Sequence, residues 1–267
     1  MKRIMTAAVA AVCLGAAAPA GAGWLIEYRN TAVKPNGDRR PSIQSTTRIA
    51  DGKLRSDQDP MIMVSDVAGD KFTVMNKERQ LFWSGTTAEY ERQTTGRKLE
   101  KLSGKFKSFK GKKELPPVDE EKLPRIVIRK TDQKREIAGH KAVKYVVESN
   151  AELFQELWIA EGIDISADLS VEQQLTQQRK LHAGMVGKSA GPFNALYRNE
   201  EYKKLLEKSF VMEQVTHHGA GKFERTVTAL RQTEIAPEEF AVPESYKRVR
   251  LADVFPQNKE EARAETR

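Results

Sequence analysis

From Trp24 onward the chain breaks into short runs of alternating side chains separated by compact turn signals, and that pattern leaves few folds open. Trp24, Ile26 and Tyr28 alternate with Leu25, Glu27 and Arg29, the period of two that sends successive side chains to opposite faces of a strand. Asn36-Gly37 and Asp51-Gly52 are turn dipeptides, because Gly accepts positive φ and Asn or Asp tolerates it. Between them Ile43, Ser45, Thr47 and Ile49 share one strand face. Runs beginning at Met61, Lys71 and Gln80 continue the series, with turns at 68–70 and 76–79. Sequential strands joined this tightly pair antiparallel.

Two inserts interrupt the strands. In the first, at about 86–124, Thr87 is positioned to cap a helix starting at Ala88. Leu99, Leu102, Phe106 and Phe109 then fall on one helical stripe, until Pro116-Pro117 and Pro124 break any helix. Strands resume over 125–129, 135–138, 140–147 and 156–160. The second insert, at about 166–208, opens with Ser170 and Gln173, a capping-box pair predicting a helix from about 171 to 182. A glycine-rich break at 184–192 precedes a second predicted helix near 194–208. Two long strands, from Phe210 and from Phe223, close the series. Helices that arrive as inserts, and not in alternation with strands, disfavour a parallel α/β sheet.

The ends of the chain have their own logic. Lys2 and Arg3 precede a nearly continuous apolar run from Ile4 to Ala18, and Pro19-Ala20-Gly21-Ala22 supplies small residues at a cleavage position. This predicts a bacterial signal peptide over 1–22, cut after Ala22, and a periplasmic destination. Val12 before Cys13 argues against a lipidation site, and Cys13 is the one cysteine. The exported chain would then have no disulfide, thiolate metal site or cysteine nucleophile. Residues 23–255 are expected to form a single domain, held by its core alone, and 256–267, with no apolar residue beyond alanine, a disordered tail.

The net charge of +8 is local. Arg92, Arg97, Lys98, Lys101, Lys105, Lys107, Lys110, Lys112 and Lys113 stand against Glu100 alone. Seven lysines beside a Leu/Phe stripe suit an anionic membrane surface, lipid phosphates or an acidic envelope protein. Export argues against nucleic acid. The stripe docking on the sheet, with its lysines merely solvated, accounts for the same pattern.

Signals for catalysis are thin. His217 and His218 are neighbours on a strand and point to opposite faces, so they do not readily share a metal. GMVGKSAG (184–191) lacks the spacing of a phosphate loop. Asp164 and Asp168 are two carboxylates among many. No catalytic residue, metal site or cofactor is expected.

Several stretches carry a family resemblance: RIADGKLRSD (48–57), KFTVMNKERQLFW (71–83), REIAGHKAVKYVV (135–147), ELWIAEGIDI (156–165) and IAPEEFAVPESY (235–246). Their order resembles the secreted bacterial family called domain of unknown function 4412. An I-x-G-x-x-x-x-K-Y hairpin and a terminal F-x-x-P-x-x-Y recur in that family. The chain is also similar to the periplasmic outer-membrane lipoprotein carriers. The resemblance implies a mainly β, α+β fold: a curved antiparallel sheet forming an unclosed barrel, with helical inserts over its concave face. No catalytic residues come with it. Candidates for the concave face are Trp24, Ile26, Tyr28, Met61, Met63, Phe72, Val74, Trp83, Tyr145, Val147, Trp158, Val211 and Val215. Such residues line an apolar ligand cavity, and they equally fill an ordinary core. The reading that follows is a monomeric, non-enzymatic carrier or binding module for an apolar or lipid-like ligand. A scaffold for another envelope protein and a secreted hydrolase are the alternatives.

Overall fold

The computed structural model describes residues 22–94, 123–186, 191–218 and 221–255. One sheet carries all the described strands. In chain order they are β1 (Ala22–Val33), β2 (Ile43–Ala50), β3 (Lys53–Gln58), β4 (Met61–Asp66), β5 (Lys71–Asn76), β6 (Leu81–Thr86), β7 (Ile126–Ile137), β8 (His140–Ser149), β9 (Glu152–Glu161), β10 (Ser209–His218), β11 (Gly221–Glu234) and β12 (Lys247–Arg248). Across the sheet the order is β12-β6-β5-β4-β3-β2-β1-β11-β10-β9-β8-β7. Neighbours pair antiparallel except for the two-residue β12, which runs parallel to β6. The outer strands β12 and β7 do not pair with each other, so the sheet remains an unclosed half-barrel with helices laid over it, as the sequence led us to expect.

Local chemistry explains the hairpins. Asp51 and Gly52 adopt φ of 50° and 71° between β2 and β3, and Ala138 and Gly139 adopt 49° and 80° between β7 and β8. Paired positive φ values are what a two-residue hairpin needs to match strand twist. The two strands anticipated at 125–129 and 135–138 are one long β7 whose register shifts between Lys130 and Lys134. Thr131 Oγ1 donates to the Lys144 carbonyl at 3.0 Å and so pins the irregular residues.

The bulges are unevenly distributed. Register breaks occur in the β1–β11, β10–β9, β8–β9 and β7–β8 pairs, whereas the pairings from β1–β2 through β5–β6 run without one. An extra residue bends its strand and increases the local twist. Curvature is thus built into the half of the sheet that runs from β1 to β7.

The helices are α1 (described over 87–94), α2 (Val171–Val186), α3 (Gly191–Leu196), α4 (Glu200–Leu206) and α5 (Leu251–Val254). Thr86, and not Thr87, caps α1: its Oγ1 accepts the Glu89 N–H at 3.1 Å while Glu89 accepts the Thr86 N–H at 2.8 Å. This reciprocal pair satisfies two otherwise orphaned donors. The single helix predicted near 194–208 is two, because Asn199 stands between α3 and α4 and caps α4, its side chain accepting from the Tyr202 N–H at 2.9 Å.

Helices and sheet share apolar clusters. Val171 and Leu175 of α2, Phe193 and Leu196 of α3 and Tyr202 of α4 bury against Ile128, Val147, Phe154, Leu157 and Ile159 of β7–β9. At the other end Tyr90 of α1 and Leu251 and Val254 of α5 cover Phe72, Val74 and Trp83. Ile62, Val64 and Met75 face the other way and are covered by Phe240, Val242 and Tyr246. Each such apolar side chain taken out of water is worth roughly 1.5–3 kcal/mol. Buried polar groups are paired across elements: Gln177 of α2 donates to Ser65 of β4, and Asn76 Nδ2 donates to the Val254 carbonyl at 3.0 Å. With Val171 and Leu175 in one cluster and Gln177 bonded to β4, α2 crosses the concave side of the sheet.

On the face of β9 opposite Leu157, Glu156 meets Lys144, and His217 Nε2 lies 3.0 Å away. Burial works against the Glu156 charge, but these two partners outweigh it and hold the carboxyl below its ordinary value of 4.5. A lowered folded-state pKa stabilises the protein above the unfolded value, and the contribution is lost as pH falls through the folded value. Glu156→Gln is therefore expected to lower Tm at neutral pH, with the gap to the parent closing as the pH drops below 4.5. A gap of constant size across that range in thermal melts would contradict the assignment.

Candidate functional site: a cavity under the helical lid

The bulged half of the sheet does not fill completely. Between α2–α4 and strands β1, β10 and β11 lies a cavity of about 490 Å³. Tyr28 on β1 and Val211, Gln214 and Thr216 on β10 form part of its floor, with Phe223 and Arg225 on β11. Val171, Gln174, Leu175 and Gln178 of α2, Phe193 of α3, and Tyr202 and Leu206 of α4 form the roof, joined by Ile165, Tyr197, Ser209 and Phe210. Bulges place the floor residues. Tyr28 sits at the β1–β11 register break and Val211 at the β10–β9 break. Phe223 lines the cavity yet keeps 41% of its surface exposed, so the cavity reaches solvent at that end.

The walls are apolar and aromatic with a few neutral polar groups. Burial raises the Tyr28, Tyr197 and Tyr202 hydroxyls, Tyr202 to about 12, so all three phenols are neutral near pH 7. Phe193 meets Phe154 edge-on at 4.9 Å and lies 6.0 Å from Tyr197. Arg225 is the one charged side chain among the described lining residues, its guanidinium carbon 3.7 Å above the Tyr28 ring. A concave, largely preformed site with few convergent polar groups is the usual form of a small-molecule pocket.

Only part of the sequence-derived candidate set converges here. Tyr28 and Val211 line the cavity. Tyr145 and Val147 lie in the neighbouring cluster under α2–α4. Ile26 is fully buried in a central cluster against which Trp24 and Trp158 pack, with Trp158 also stacked 4.0 Å from Arg135. Met61, Phe72, Val74 and Trp83 belong to the separate cluster under α1 and α5. Met63 is 37% exposed, and Val215 is buried opposite Glu156 and Glu224. The helical half of the lining was not singled out in the sequence, although Val171 and Leu175, four apart, carry the i, i+4 signal of one buried helix face.

Other sequence motifs have structural duties. Ser170 Oγ accepts the Gln173 N–H at 3.5 Å at the start of α2. Asp164 accepts the Ser166 N–H at 2.8 Å, which shapes a turn, and the Asp168 carbonyl accepts the Gly52 N–H at 2.7 Å, which ties the approach to α2 to the β2–β3 hairpin. Among the described residues no three His, Cys, Asp or Glu side chains gather where a metal could bind. Lys98, Lys101, Lys105, Lys107, Lys110, Lys112 and Lys113, the signal segment and the C-terminal tail lie outside the described residues. None of the described helices is long and apolar enough to cross a membrane.

A second cavity of about 450 Å³, beyond Leu175 and Tyr197, has a different character. Glu172, Arg179, Arg198, Glu200 and Lys203 line it, with Lys203 bonded to Glu172 at 3.1 Å. It is a charged crevice, poorly suited to an apolar guest.

No family model and no curated protein matches the sequence. Among solved structures the chain is similar to PNGF-II, at 10% identity and a TM-score of 0.31, covering 87% of this chain and 32% of that one. It is similar to MucB in the Pseudomonas aeruginosa MucA/MucB complex, at 10% identity and a TM-score of 0.32, covering 86% and 59%. A putative outer membrane lipoprotein-sorting protein domain from Vibrio parahaemolyticus is similar at 9% identity and a TM-score of 0.31, covering 82% and 88%. The chain thus spans about a third of PNGF-II and somewhat over half of MucB. Likeness of this degree assigns no activity to it.

Proposed function

We propose that this protein is a non-enzymatic carrier or binding protein of the bacterial envelope that holds an apolar, lipid-like ligand between its half-barrel and helices α2–α4. The observation that carries the reading is the 490 Å³ cavity, walled by aliphatic and aromatic side chains and reaching solvent beside Phe223. An apolar guest gains dispersion contacts from a lining of this extent. The predicted signal peptide supports an envelope location, where amphiphiles need shielding from water. The lid is made of separate short pieces: α3 and α4 are short, and Asn199 caps a break between them.

The test is native mass spectrometry of the purified chain, paired with titration of the neutral apolar dye N-phenyl-1-naphthylamine. Co-purified lipid released on activation, or saturable dye binding, is the expected result. A bare-chain mass together with no dye binding would overturn the proposal.

A further inference from the structure

The cavity is not uniformly greasy, and its one cation is unusually placed. Arg48, Arg55, Arg129 and Arg135 each meet a carboxylate. Arg225 stacks instead on Tyr28, and its buried Nε has no hydrogen-bond partner among the described residues. Its strand neighbours in register are Asn30 and Gln214, neither of them acidic. A guanidinium stacked by its face on an aromatic ring keeps its N–H edges in plane, the arrangement that accepts a bidentate oxyanion. Arg225 is only partly buried, and among the described residues no ion pair is formed by its guanidinium, which leaves its N–H edges available to an anionic guest. Arg225 also lies two residues from Phe223, at the solvent end of the cavity, while Val171, Leu206 and Phe210 extend the apolar wall.

We infer that the ligand is a single-chain amphiphile with an anionic head, its carboxylate or phosphate held by Arg225 near the mouth and its acyl chain covered by α2–α4. This rests on the carrier reading and adds the head-group chemistry to it. Tyr28 serves as a positioning residue for the guanidinium.

The experiment is displacement of bound N-phenyl-1-naphthylamine from the full chain by palmitate, by palmitoyl lysophosphatidate and by uncharged hexadecanol. At least one of the two anions is expected to displace the dye at about tenfold lower concentration than hexadecanol, and the stronger of the two identifies the head group. Arg225→Gln is expected to erase that preference, read as the ratio of anion to hexadecanol potency within the same variant, and Arg225→Lys to restore part of it. Equal potency of all three in the parent, or a preference that survives Arg225→Gln, overturns the head-group assignment and leaves the apolar cavity standing. Failure of the parent to bind dye, together with a bare-chain mass, removes both.

Discussion

Leu157→Ala is expected to lower the unfolding free energy by about 2–5 kcal/mol. Leu157 has no exposed surface and sits at the centre of β9, paired with Gln214 on β10 and Tyr145 on β8. It belongs to the cluster that joins the sheet to Val171, Leu175, Phe193 and Leu196. Truncation removes the transfer free energy of the lost carbons and leaves a void that strands on both sides prevent from collapsing. Leu153, on the same strand but 43% exposed, is the control. Its replacement by alanine should stay within about 0.5 kcal/mol. Urea denaturation of the two variants separates the cases. A Leu157→Ala effect as small as the control's would mean that the helices do not dock as described. Because Leu157 supports the lid, hydrogen exchange in α2–α4 should rise before exchange in β2–β5.

The second large effect concerns the cavity. Val211→Trp is expected to weaken dye and lipid binding by at least about tenfold while Tm changes by only a few degrees. Val211 lies at the β10–β9 bulge, on the cavity floor, and is only partly buried. An indole at that position enters space the guest would use, since Val211 borders the cavity as well as the cluster under α2–α4. In a closed core the same substitution would overpack and cost about 1–3 kcal/mol. The two measurements together therefore discriminate between cavity and core: lost binding with retained stability supports the cavity, and a strongly destabilised protein that still binds dye contradicts it. This is the distinction that the list of candidate side chains leaves open in the sequence.

Much of the fold was legible because its signals are local. The alternation of Trp24, Ile26 and Tyr28, the Asp51-Gly52 turn and the Ser170 cap each act within a few residues, and each is present in the structure. Errors arose where a neighbour in sequence competed for the same role. Read from the sequence, the cap falls at Thr87; Glu89 selects the neighbouring Thr86 because it can return a hydrogen bond to that residue's N–H. The interruption at Thr131 reads as a strand end but is a bulge, since pairing with β8 resumes beyond it.

The candidate site was less legible, for a physical reason. Periodicity marks Phe72, Trp83, Tyr28 and Val211 alike as inward-facing, but it carries no information on what lies opposite. Phe72 and Trp83 meet Tyr90, Leu251 and Val254, while Tyr28 and Val211, each packed into an apolar cluster, also border the cavity under a lid that begins far along the chain. Arg225 looks in the sequence like any solvated strand arginine, and only the 3.7 Å approach to Tyr28 gives it a role.

The sequence by itself determined most of the strands, though not the extent of β7 or the short β12, and the antiparallel pairing of consecutive ones, since turns and side-chain alternation are set by a handful of neighbouring residues. Tertiary structure decided where the ladders slip, how far the sheet bends and whether its hollow is filled. Those outcomes depend on volumes brought together from distant parts of the chain, β1 against β11 and α2 across β4, and no short stretch of residues specifies how well they fit.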